Sequence, residues 1–91
     1  MPMRVAIVSP EKEVWSGEAD MVVARTTEGE IGVQPGHVPL LGVLVTNGEV
    51  RVKTGGSTVT VAVDGGFLSV TKQGVSILAE HAVLSAGSAQ S

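Results

Sequence analysis

The sequence has no cysteine, no tyrosine, one tryptophan and one phenylalanine in 91 residues. Without cysteine there is no disulfide framework, no thiolate metal site and no thiol nucleophile. Two histidines are too few for a His-rich zinc site. Basic residues are also scarce, with Lys plus Arg at 6 against Asp plus Glu at 9 and a net charge of −3. Such a chain offers no basic face to displace counterions from nucleic acid, and too few aromatics to stack bases. No apolar run approaches the roughly 20 residues that span a bilayer. The opening Met1-Pro2-Met3-Arg4-Val5 lacks the pattern of a secretory signal. These absences predict a cytoplasmic domain with no nucleic-acid partner and no direct bilayer insertion.

What is present is β-branched. Val, Thr and Ile number 17, 7 and 3, against 8 Ala and 6 Leu, and 12 glycines are available for turns. Stiff, branched side chains pack well on a pleated surface. The apolar fraction of 43% and the charged fraction of 16% are those of a chain that folds. Strand-like runs cover 3–9, 13–16, 18–27, 30–33, 40–46, 49–54, 57–63, 67–71 and 75–80. Glycine or proline punctuates them, and no helical period of useful length occurs. Alternation puts Val59, Val61 and Val63 inward, with Thr58, Thr60 and Ala62 outward. Asn47-Gly48 predicts a type I′ hairpin, Gly55-Gly56 and Gln73-Gly74 predict further hairpins, and Asp64-Gly65-Gly66 turns the chain. The fold class read from this pattern is all-β, an antiparallel β-sandwich or barrel of short strands.

Catalytic chemistry is hard to find. His37, in the loop Gln34-Pro35-Gly36-His37-Val38-Pro39, would need a nucleophile or an orienting carboxylate beside it to act as a base. No Ser stands in a G-x-S-x-G setting, and the paired glycines match no phosphate-binding loop. No cofactor is indicated. Glu28-Gly29-Glu30, just before the Pro-Gly-His loop, reads as an exposed acidic tip suited to a basic partner. Trp15 reads as a core residue.

The run Glu28-Gly29-Glu30-Ile31-Gly32-Val33-Gln34-Pro35-Gly36-His37-Val38-Pro39-Leu40-Leu41 resembles the signature "EGE-x-G-x-x-PGH-x-PLL" of the epsilon subunit of F-type ATP synthases. Val8-Ser9-Pro10 and Val14-Trp15-Ser16-Gly17 upstream are similar to that family's opening. Gly65-Gly66-Phe67-Leu68-Ser69-Val70 and Val75-Ser76-Ile77-Leu78-Ala79 downstream are similar to its later strands. The resemblance covers residues 3–84 in order. It implies a β-sandwich of about ten strands and a non-catalytic place in the rotor, or central stalk. There the family packs on the gamma subunit, rests on the polar loops of the c-ring, and acts indirectly on the alpha and beta subunits. Carried over by position, Glu28, Glu30 and His37 are expected to meet the c-ring, whose loops in the family carry an arginine. Val38, Pro39, Leu40 and Leu41 are nominated here to meet gamma. The expected location is the cytoplasmic face of the bacterial plasma membrane, peripheral through the complex.

The family usually continues with a helical hairpin that can inhibit ATP hydrolysis. Here the sandwich domain is expected over 1–84, with a flexible tail over 85–91 and no hairpin. The alternative reading is a freestanding β-sandwich interaction module with another partner, separable by co-purification with gamma.

Overall fold

A computed structural model describes residues 2–84. The tail expected over 85–91 lies outside the described residues. Ten strands follow one another with no helix among the described residues: β1 Met3–Val8, β2 Glu13–Ala19, β3 Met21–Thr26, β4 Gly29–Val33, β5 Leu40–Leu44, β6 Gly48–Thr54, β7 Ser57–Val63, β8 Gly66–Thr71, β9 Gly74–Ala79 and β10 Ala82–Leu84. The all-β reading holds, and the strands lie in the order β10-β7-β6-β3-β5-β8-β9-β1-β2, with β4 on β3. The continuous pairing curls back on itself, so that β10 and β6 come up against β2 and the sandwich is nearly closed.

Strand alternation builds the core. Val5 and Ile7 of β1, Val22 of β3, Val50 and Val52 of β6, Val61 of β7, Leu68 of β8 and Ile77 of β9 are fully buried. Val61 and Val63 point inward as the alternation predicts, whereas Val59 is only half-buried and packs on the edge of the core. Trp15 is half-buried. It stands opposite Ile7 in the β1–β2 pair, and its ring covers Gly17. Paired with Val5, Gly17 stays in the ladder and β2 runs on to Ala19, where a break at the glycine was expected. The break comes at Asp20, whose N–H donates to Lys53 O at 2.8 Å and whose carboxylate accepts from Gly55 N–H at 3.0 Å.

Two further expectations are corrected. Asn47-Gly48 makes no type I′ hairpin. Asn47 has φ 55°, but Gly48 does not have the positive φ that the second central position requires. The strands on either side of it do not pair. β6 lies along Met21–Ala24 of β3, and β5 touches β3 at Thr26 before pairing with β8. The segment carries the chain from the β5–β8 ladder to the β3–β6 ladder. The ladders are antiparallel except one, since β1 pairs with β9 in parallel from Arg4↔Gly74 to Val8↔Leu78.

Two glycines are required by close approach. At Gly66 (φ 124°) a Cβ would fall onto the Leu78 carbonyl, and at Gly74 (φ 142°) onto the Arg4 carbonyl. Both lie in the left-handed half of backbone space, where L side chains are strained.

Candidate functional site

Each sheet leaves one face outward, and the two faces differ. On the β5-β8-β9-β1 side, register puts Val43 opposite Phe67, Phe67 opposite Leu78, and Leu78 opposite Val8. These side chains alternate with the inward Leu44, Leu68 and Ile77, so they must face out. Leu41 is 73% exposed, Val43 46%, Phe67 51% and Leu78 57%. A contiguous apolar row of this kind on a small domain marks a contact surface. The sequence reading nominated Leu41 but missed Val43, Phe67 and Leu78. The signal available was Phe67, the only phenylalanine, standing out of phase with the buried Leu68.

The other outward face, on β4-β3-β6-β7, is charged. Glu30 of β4 stands opposite Arg25 of β3, and Arg51 of β6 stands opposite Val23. The Arg51 Nη2 donates across β3 to Glu30 Oε2 at 3.1 Å, and its Nε lies 3.7 Å from Glu49 Oε1. A groove of about 690 Å³ runs beside them, lined by Arg25, Asn47, Asp64 and His81 among others.

The acidic turn is built by a buried hydroxyl. Thr26 is buried, its Oγ1 donates to Gly29 O at 2.8 Å, and it accepts from Glu28 N–H at 3.1 Å. With Gly29 at φ 118°, this fixes a tight turn that leaves Glu28 exposed at the end of the sandwich.

The residues expected at the c-ring do not form one cluster. Glu28 and Glu30 lie at one end of β4, and His37 follows the other end. Five residues of strand at about 3.3 Å each set the two ends roughly 15 Å apart. His37 sits in a turn in which its N–H donates to Gln34 O at 3.0 Å, and its Nδ1 lies 2.7 Å from Val38 O. A smaller groove beside it is also lined by Arg4, Glu18, Lys72 and Gln73. No carboxylate pairs with His37 among the described residues, so the geometry supplies no catalytic couple there. Val38 and Leu41 are well exposed, Pro39 is exposed, and Leu40 is half-buried against the core. This stretch leads directly into the apolar row.

No cluster of three or more His, Asp or Glu that could hold a metal occurs among the described residues. No helix among them is long and apolar enough to cross a membrane.

The family model described as "ATP synthase, Delta/Epsilon chain, beta-sandwich domain" matches residues 2–85. An ATP synthase epsilon chain of Frankia casuarinae is 74% identical over 84 residues, covering 92% of this chain and 99% of that one. One from Streptomyces coelicolor is 57% identical over 84 residues, covering 91% of this chain and 67% of its own length. Among solved structures, a chain of the Euglena gracilis mitochondrial ATP synthase, in an assembly of OSCP, F1 and c-ring, superposes with a TM-score of 0.83 at 26% identity. That match covers 91% of this chain and 53% of the other, so the chain spans about half of its length. A chain of the Tetrahymena thermophila central stalk and c-ring, at TM-score 0.75 and 18% identity, shares the fold. The match over all described residues and the 74% identity place the chain in the delta/epsilon family of ATP synthase subunits.

Proposed function

We propose that the chain is a non-catalytic rotor subunit that bridges the gamma subunit and the c-ring of a proton-translocating F-type ATP synthase. In that position it couples ring rotation to ATP synthesis and reaches the alpha and beta subunits only indirectly. It works at the cytoplasmic face of the bacterial plasma membrane, peripheral through the complex. The observation that carries this reading is the outward apolar row Leu41, Val43, Phe67 and Leu78. It continues the segment Val38, Pro39, Leu40 and Leu41, and together they form the surface for gamma. The acidic turn with Glu28 and Glu30 meets the polar loops of the ring, with His37 a further contact at the opposite end of β4.

Magnitudes divide the labour. Full burial of a Leu or Phe side chain contributes roughly 1.5–3 kcal/mol, whereas an exposed ion pair is worth about 0.2–1 kcal/mol. The apolar row therefore anchors, and the acids orient. Two prolines before Leu40 stiffen the segment, so docking orders little that was free.

The test is co-purification with gamma. Phe67→Asp combined with Leu78→Asp is expected to cut recovery with gamma at least tenfold while the thermal midpoint of the isolated chain holds. Undiminished recovery overturns the reading of this face. Glu30→Lys is expected to weaken attachment to the c-ring without affecting recovery with gamma alone.

A further inference from the structure

The charged face contains an arrangement that bears on how the acidic turn meets its partner. Glu30 is not a free carboxylate. Arg51 reaches over β3 to it at 3.1 Å, although Arg25 is the direct cross-strand neighbour of Glu30. Arg25 makes no ion pair among the described residues. Glu28, two residues away, has no cationic partner among them either. Arg51 is bracketed, with Glu49 at 3.7 Å on its own strand. All three side chains of this triad are about half exposed, at 40% for Arg51, 50% for Glu30 and 55% for Glu49.

We infer that Arg51 is an internal competitor for Glu30, a positioning residue that sets how strongly the acidic turn engages a cationic loop. The inference rests on the proposed reading of Glu30 as a partner contact. An incoming guanidinium or ammonium must displace Arg51 from Glu30. The displacement leaves no orphan, because Arg51 stays beside Glu49. The contact is thus an exchange of ion pairs, low in net free energy and readily reversed, while Glu28 supplies the uncontested attraction. Removal of Arg51 releases Glu30 toward the partner, so the loss of a residue increases affinity. A residue that merely supported the fold would act in the opposite direction.

The experiment measures binding of the chain to a purified gamma–c-ring subcomplex at fixed ionic strength. Arg51→Gln is expected to tighten binding about two- to fivefold, the range of an exposed ion pair. Lys53→Gln makes the same charge change on the same strand, at an exposed residue with no ion pair among the described residues, and corrects for long-range attraction. In a Glu30→Gln background the Arg51→Gln gain is expected to vanish, which a double-mutant cycle reads directly. If Glu30→Gln weakens binding but Arg51→Gln is neutral, weakening or no different from Lys53→Gln, the competitor role is overturned and the reading of Glu30 stands. If Glu30→Gln leaves binding unchanged even in the Arg51→Gln background, where Glu30 is uncontested, that reading falls and the competitor role falls with it. Persistence of the Arg51→Gln gain in the Glu30→Gln background also overturns the inference.

Discussion

The two outward faces of this sandwich are made from the same alternation and end in opposite chemistry. Behind the β5-β8-β9-β1 face the inward residues are Leu44, Leu68 and Ile77, and the outward ones are Val43, Phe67 and Leu78. That sheet carries an apolar row on its outward side as well, beside Ser69 and Ser76. Behind the β4-β3-β6 face the inward residues are Val22, Ala24, Val50 and Val52, and the outward ones include Arg25, Glu30, Glu49 and Arg51. That sheet is apolar on one side only. An antiparallel sheet with one wet face is complete in water, whereas a sheet with two apolar faces is finished by something else. On the proposed reading, the difference separates the face that gamma covers from the face that is complete in water.

Four substitutions probe that contrast. The largest effect is expected at Gly66, where β8 begins against β9. Gly66→Ala forces a Cβ onto the Leu78 carbonyl at φ 124°, and the expected result is loss of the cooperative thermal transition. A normal melt would show that β8 and β9 can separate at this point, and would weaken the picture of a rigid apolar face. Next is Leu68, fully buried directly behind that face. Leu68→Ala is expected to cost about 2–5 kcal/mol in denaturant unfolding, the range for a large-to-small core change. A smaller loss would mean that the sheet collapses to fill the space.

On the charged side the expected effects are smaller, because hydrogen bonds and surface ions hold it. Thr26→Val keeps the shape and removes the hydroxyl that accepts from Glu28 N–H and donates to Gly29 O. A cost of about 1–3 kcal/mol is expected, with increased amide exchange at Glu28 and Gly29. Protection unchanged in the turn would show that Gly29 alone sets its shape. Smallest is Arg51→Gln, whose effect on stability is expected to stay within about 1 kcal/mol. A greater loss would make the triad a structural clamp between β4 and β6 and erase the contrast between the faces.

Most strands were legible in the sequence because valine alternation and glycine punctuation are local signals. Val61 and Val63 could be placed inward from spacing alone. Pairing was not legible. Asn47-Gly48 looks like a hairpin turn, yet β5 and β6 share only β3, because the dipeptide carries the chain from the β8 ladder to the β3 ladder. The same limit applies to the candidate site. Glu28, Glu30 and His37 lie within one short string, but a strand holds its two ends apart, so one string supplies two separate places on the surface. Arg51 was invisible as a partner of Glu30 because their meeting depends on the lateral order β4-β3-β6, which no single segment encodes. Phe67 and Leu78 were legible in principle as outward positions, but a hydrophobic residue facing water defies the usual reading of alternation.

The parallel pairing of β1 with β9 has a consequence for how the chain folds. β1 lies between β9 and β2, and its register with β9 joins residue 4 to residue 74 and residue 8 to residue 78. Until almost the whole described chain has left the ribosome, the first strand has only the β2 hairpin to hold it. Closing that loop entails an entropy cost before any contact compensates it, and such long-range pairings slow folding. The nascent β1–β2 hairpin, rich in valine and isoleucine, must wait with one edge open, so synthesis and folding are separated in time.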